Sequence, residues 1–135
     1  MSDAPALAGG CLCGAVRYRI EGPLLSSGVC HCATCRRAAG APSVAWLTVE
    51  QGHFRLVAGA LATYASSPGV TRGFCARCGT SLTWRNDAVT GIDVTVASLD
   101  DPEAVTPRSE WWLDHRLSWN PANPALEGFA RSGAG

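Results

Sequence analysis

The hydrophobic and polar positions of this chain alternate in short bursts, with turn residues between them. Residues 11–20 run Cys-Leu-Cys-Gly-Ala-Val-Arg-Tyr-Arg-Ile and stop at Glu21-Gly22-Pro23, which reads as a strand closed by a turn. Residues 44–49 and 53–57 are two β-rich runs, and Gln51-Gly52 between them predicts a tight hairpin. A short strand is expected at 61–65, and another at 70–74 runs into a Cys-x-x-Cys motif. Residues 81–85 and 91–97 alternate about Asn86-Asp87 and predict a second hairpin. Only residues 34–39, closed by Gly40, have helix-forming character, enough for one or two turns. Many short strands and no long 3.6-residue period predict a mainly β domain. Residues 1–9 and 128–135 are expected to be flexible ends around a single domain spanning 10–127.

Composition narrows the class. The chain has 135 residues, 47% of them hydrophobic, which suits one globular domain. Eleven basic side chains balance eleven acidic ones. That balance argues against a nucleic-acid or membrane-surface partner. Every basic residue is Arg and none is Lys, which excludes Schiff-base chemistry and a Walker-type lysine. The apolar runs are far shorter than the ~20 residues of a membrane helix, and the first ten residues lack a signal-peptide pattern. A cytoplasmic location is therefore expected, where clustered thiols stay reduced and bind metal more often than they pair.

Candidate chemistry lies in seven cysteines. They fall into Cys11-Leu12-Cys13, Cys30-His31-Cys32-Ala33-Thr34-Cys35 and Cys75-Ala76-Arg77-Cys78. Cys11 and Cys13 share one side of the expected strand, and Cys75 to Cys78 with Gly79 reads as a zinc knuckle. Together these four thiolates would close a tetrahedral structural site, for which zinc is the expected ion. Cys30, Cys32 and Cys35 supply three, leaving one position open on a second zinc that is expected to be held less tightly. His31 points away from the sulfurs on this reading and is not counted as a ligand.

Three thiolates exceed the charge of zinc and make it a weak Lewis acid, suited to holding a thiol as thiolate rather than to making hydroxide. A redox pair of Cys32 and Cys35 is the competing reading, disfavoured by the third cysteine. Arg36 and Arg37 are candidates to clamp a substrate carboxylate. Asp100-Asp101-Pro102 reads as a turn rather than a pair of catalytic carboxylates. Trp84, Trp111, Trp112 and Trp119 read as packing groups, and His53 as structural or exposed.

These motifs resemble the glutathione-dependent formaldehyde-activating enzyme family, whose relatives include the centromere protein V proteins. The resemblance runs from about Gly10 to Trp119, through the three cysteine motifs and Ser98-Leu99-Asp100-Asp101-Pro102. It implies an Mss4-like β-tent fold held by a structural zinc at Cys11, Cys13, Cys75 and Cys78. It also implies a catalytic zinc at Cys30, Cys32 and Cys35, and carbon–sulfur lyase activity on an adduct such as S-(hydroxymethyl)glutathione. The sequence departs from the family at Glu110-Trp111-Trp112, where a His-aromatic pair is common. A carboxylate there is expected to repel a carboxylate-bearing ligand such as glutathione. A non-catalytic zinc-stabilised binding module is the alternative function.

Overall fold

The computed structural model describes residues 6–132. Eleven strands and one short α-helix are ordered β1 (Leu7–Gly10), β2 (Arg17–Ile20), β3 (Ser26–Cys30), α1 (Ala33–Ala39), β4 (Val44–Glu50), β5 (Phe54–Ala58), β6 (Ala62–Ser67), β7 (Val70–Phe74), β8 (Ser81–Asn86), β9 (Gly91–Thr95), β10 (Ser109–Trp111) and β11 (Glu127–Gly128). The mainly β class expected from the alternation is observed. A three-stranded sheet has the order β1-β2-β5, and an eight-stranded sheet the order β11-β10-β3-β4-β9-β8-β7-β6. Pairing is antiparallel except at β10, which lies parallel to both β3 and β11.

β4 shows how the pattern builds two layers. Its successive side chains point to opposite faces. Leu47 and Val49 enter the main core with Tyr18, Ile20, Leu82, Ile92 and Val94. Val44 and Trp46 enter a second, smaller cluster with Cys30 and Cys35. The main core therefore lies between the two sheets. The second cluster lies on the opposite face of the large sheet, under α1. Cys11 and Cys75 belong to the main core, so the two cysteine groups are on different sides of β4.

Several local expectations change. The strand predicted over 11–20 is shortened to β2 at 17–20, and residues 11–16, between β1 and β2, form a turn instead. Gln51-Gly52 does not close a hairpin: Gln51 to His53 form a 3-10 turn, and β5 leaves to pair with β2. β4 pairs instead with β3 and β9. The β8–β9 hairpin forms as predicted. Part of the expected free N-terminus is β1; residues 1–5 lie outside the described residues. Residues 128–132 of the expected free C-terminus are also built in, since β11 is followed by bonds from the N–H groups of Trp112, Leu113 and Asp114 to the carbonyls of Arg131, Phe129 and Ala130; residues 133–135 lie outside the described residues. Trp119 is exposed rather than packed, and His53 is exposed.

Candidate metal and thiol site

Two thiol knuckles face each other across the first site. The N–H of Cys11 donates to the Val16 carbonyl and the N–H of Cys75 to that of Thr80, each at 3.1 Å. Gly14 and Gly79 both sit at φ 83°, a left-handed conformation that a β-carbon disfavours. The N–H of Leu12 reaches Thr80 Oγ1 at 3.0 Å and ties the knuckles together. Cys11 and Cys13 thus converge through a turn and not through the side-sharing of a strand.

All four sulfurs lie within 4.8 Å of one another. Cys11 Sγ to Cys13 Sγ is 3.7 Å, and Cys13 Sγ to Cys75 Sγ is 3.8 Å. Metal–sulfur bonds of about 2.3 Å give a tetrahedral edge of about 3.8 Å, so the donor set fits an ion without rearrangement. Backbone N–H groups support the sulfurs: Val16 donates to Cys11 Sγ at 3.2 Å and Arg77 to Cys75 Sγ at 3.4 Å. The Thr80 hydroxyl lies 3.2 Å from Cys78 Sγ and, with the Thr80 N–H, holds the Cys78 thiol down to about 5.

The second group, Cys30, Cys32 and Cys35, also lies within 4.8 Å, with no fourth His, Cys, Asp or Glu joining it among the described residues. β3 delivers Cys30 at its last position. Cys32 caps α1, its sulfur accepting from the Cys35 N–H at 3.4 Å, and Cys35 is buried in the first turn. The helix ends as predicted at Gly40, φ 64°, whose N–H returns to the Arg36 carbonyl. Hydrogen bonds from Cys30 and Cys35 hold the Cys32 thiol far below the ordinary range, so it is the first to become thiolate. The same bonds to Cys32 and Cys35, then burial, push Cys30 far up. The donor set is soft and three-coordinate, and it fits a thiophilic ion with one open position.

The strongest cation at this group was not legible as such in the sequence. Arg72 on β7 places both Nη1 and Nη2 at 3.7 Å from Cys35 Sγ. Its Nη2 also donates to Thr34 Oγ1 at 3.3 Å, and its Nε to Ser66 Oγ at 3.0 Å. The two arginines expected to clamp substrate lie elsewhere. Arg36 donates its Nε to the His31 carbonyl at 3.2 Å, and Arg37 is exposed. A cavity of about 410 Å³ opens beside Cys35, walled by Trp46, Tyr64, Arg72, Phe74 and Thr83 among others. Neither Arg36 nor Arg37 is in its wall. Trp84, Trp111 and Trp112 pack on the cysteine cluster, and the Trp111 indole covers Gly28, where any β-carbon would collide with it.

Glu110 does not face the cavity. It is 4% exposed, and its two carboxylate oxygens are occupied. Oε1 is 2.8 Å from His31 Nε2, and Oε2 accepts the Asn123 N–H at 2.6 Å. The repulsion expected from its position in the sequence is thus absent. His31 is 1% exposed and braces the loop that carries Cys30, Cys32 and Cys35 from behind. Asp101 caps a turn by accepting from the Glu103 N–H, while Asp100 pairs with Arg17, so the acidic pair is structural.

A mainly β domain with a four-thiol group and a three-thiol group, each arranged so that it could hold a metal ion, defines the class of this chain. The family described as glutathione-dependent formaldehyde-activating enzyme matches residues 6–115, and the chain belongs to that family. It is 38% identical over 80 residues to an uncharacterized lyase of Schizosaccharomyces pombe. That match spans 58% of this chain and only 56% of the yeast protein. The fold is similar to the crystal structure of a Rhodobacter sphaeroides protein, with a TM-score of 0.60 and 29% identity, over 74% of this chain and 91% of that one.

Proposed function

We propose that the protein is a zinc-dependent carbon–sulfur lyase-type enzyme acting on the adduct of a small thiol and an aldehyde, such as S-(hydroxymethyl)glutathione. The observation that carries this reading is the convergence of Cys30, Cys32 and Cys35, with no fourth protein ligand among the described residues and with Cys35 in the wall of a cavity. The family and the lyase name of the yeast relative support the same class. The four-thiol site at Cys11, Cys13, Cys75 and Cys78 has no vacant position and serves the fold.

Zinc bound by the three thiolates would hold an incoming thiol as thiolate near neutral pH. In the direction of adduct formation, the thiol sulfur supplies the electron pair of the new carbon–sulfur bond. The carbonyl π pair moves to oxygen, and that oxygen takes up one proton, equal to the one the thiol lost. Cleavage runs the same steps backward. The chain's own contribution is to place the reacting sulfur and exclude water. α1 fixes Cys32 and Cys35, Arg72 offsets the surplus negative charge at Cys35, and Trp46 and Phe74 wall the cavity.

Metal stoichiometry and thiol titration test the proposal together. Purified protein should hold two zinc ions, and Cys32→Ser should hold one. Calorimetry should detect glutathione on the wild type and not on Cys32→Ser, and formaldehyde adduct turnover should follow. One zinc in both proteins, or two zincs with no thiol binding, would leave a zinc-stabilised binding module as the function.

A further inference from the structure

The cavity beside Cys35 is asymmetric in charge. Its walls are largely aromatic and small side chains, and Arg72 is the one charged residue in them. Charges elsewhere around the site are already committed. Glu110 is buried against His31 and the Asn123 N–H, and Arg36 bonds the His31 carbonyl. Arg37 lies exposed, outside the cavity wall.

Arg72 is also held rigidly. Ser66 fixes Nε, Thr34 fixes one N–H of Nη2, and Cys35 takes one from each terminal nitrogen. A guanidinium carries five N–H donors. Four are engaged here, and the remaining one on Nη1 has no protein partner among the described residues. Trp46 and Phe74 in the same wall lower the local dielectric and strengthen the field of that charge. Cys35 is the member of the cysteine group in the cavity wall, so the cavity is the space next to the group that can take the body of a ligand whose sulfur joins it.

We propose that Arg72 determines substrate specificity: the cavity takes the carboxylate-bearing body of a thiol whose sulfur joins Cys30, Cys32 and Cys35. The inference rests on the function proposed above. It goes further in naming the residue that selects carboxylate-bearing thiols over neutral ones. Neutral thiols of the same length reach the cysteines and gain nothing from the cavity charge.

The test uses a matched pair, 3-mercaptopropionate and 2-mercaptoethanol, with zinc-loaded full-length protein. Affinities are read by calorimetry and, on cobalt-substituted protein, by the sulfur-to-metal absorption band. The wild type should prefer the carboxylate thiol by roughly tenfold or more, the scale of one charge-assisted hydrogen bond. Arg72→Lys should keep most of that preference, and Arg72→Met should bring the ratio to near one. The ratio cancels any general weakening caused by losing the contact to Cys35. Should Arg72→Met fail to fold, Arg72→Gln, which can still bond Ser66 and Thr34, must give the same collapse of the ratio. Equal affinities in the wild type, or a preference that survives Arg72→Met or Arg72→Gln, would overturn the inference and leave the proposed thiol chemistry standing. Failure of both thiols to bind the zinc-loaded wild type would overturn both.

Discussion

Replacing Glu110 with Ala should be among the most destabilising single changes in the chain. The side chain is 4% exposed and meets two buried donors, His31 Nε2 at 2.8 Å and the Asn123 N–H at 2.6 Å. Truncation strands both partners away from water. His31 Nδ1 already has no partner, so the whole ring would be unsatisfied. Stranded buried polar groups cost about 1–3 kcal/mol each, so a loss of about 4 kcal/mol is expected for the two. For a domain of this size, that corresponds to a fall in Tm of roughly 10–20 °C. Glu110→Gln keeps an acceptor for Asn123 and a hydrogen-bonding group for His31, and should recover at least half. Thermal unfolding of metal-loaded protein by circular dichroism measures both. A fall of only a degree or two in Glu110→Ala would refute the argument. The same Gln variant checks the placement of the carboxylate. A Glu110 facing substrate predicts tighter glutathione binding in Glu110→Gln, whereas a Glu110 buried behind the loop predicts no change.

Other perturbations separate the remaining assignments. Cys13→Ser should lower Tm sharply and abolish protection by metal, while Cys32→Ser should lose one metal with a much smaller effect on folding; equal effects in denaturation with and without chelator would contradict the division. Burial raises the Asp93 carboxyl from 3.8 to about 6, against the opposing bond from the Thr48 hydroxyl. The folded state therefore binds this proton more tightly, and its contribution to stability falls as pH rises from about 4 to about 6. Asp93→Asn should be more stable than wild type at pH 7–8 by at most ~3 kcal/mol, with the gap closing toward pH 4; urea titrations showing a pH-independent gap would contradict this. Gly28→Ala should cost about 1–3 kcal/mol, because the new methyl displaces the Trp111 indole, and should quench or shift tryptophan fluorescence; an unchanged spectrum and Tm would sink it.

Local chemistry was readable where it rests on neighbours in the chain. The thiol motifs, the Gly40 stop of α1 and the β8–β9 hairpin all depend on residues a few positions apart. The strand expected over 11–20 failed because Cys11, Cys13 and Gly14 form a knuckle whose partner, Thr80, is remote. The Gln51-Gly52 hairpin failed because β5 finds a better apolar partner in β2, with Tyr18 against Phe54, than in β4. Arg72 was hidden for a similar reason. Within β7 it is one polar residue of a strand, and only the packing of α1 beside β7 brings it to Cys35, 37 positions earlier. Glu110 reaches His31 through the parallel pairing of β10 with β3, which has no signature in either segment.

β7 ties the two sites to one strand. Phe74 at its end leads directly into the Cys75 knuckle, and Arg72, three residues before Cys75, holds Cys35. The strand is paired along its length on both sides, with β6 and with β8, so a slip of its register would displace the knuckle and the guanidinium together.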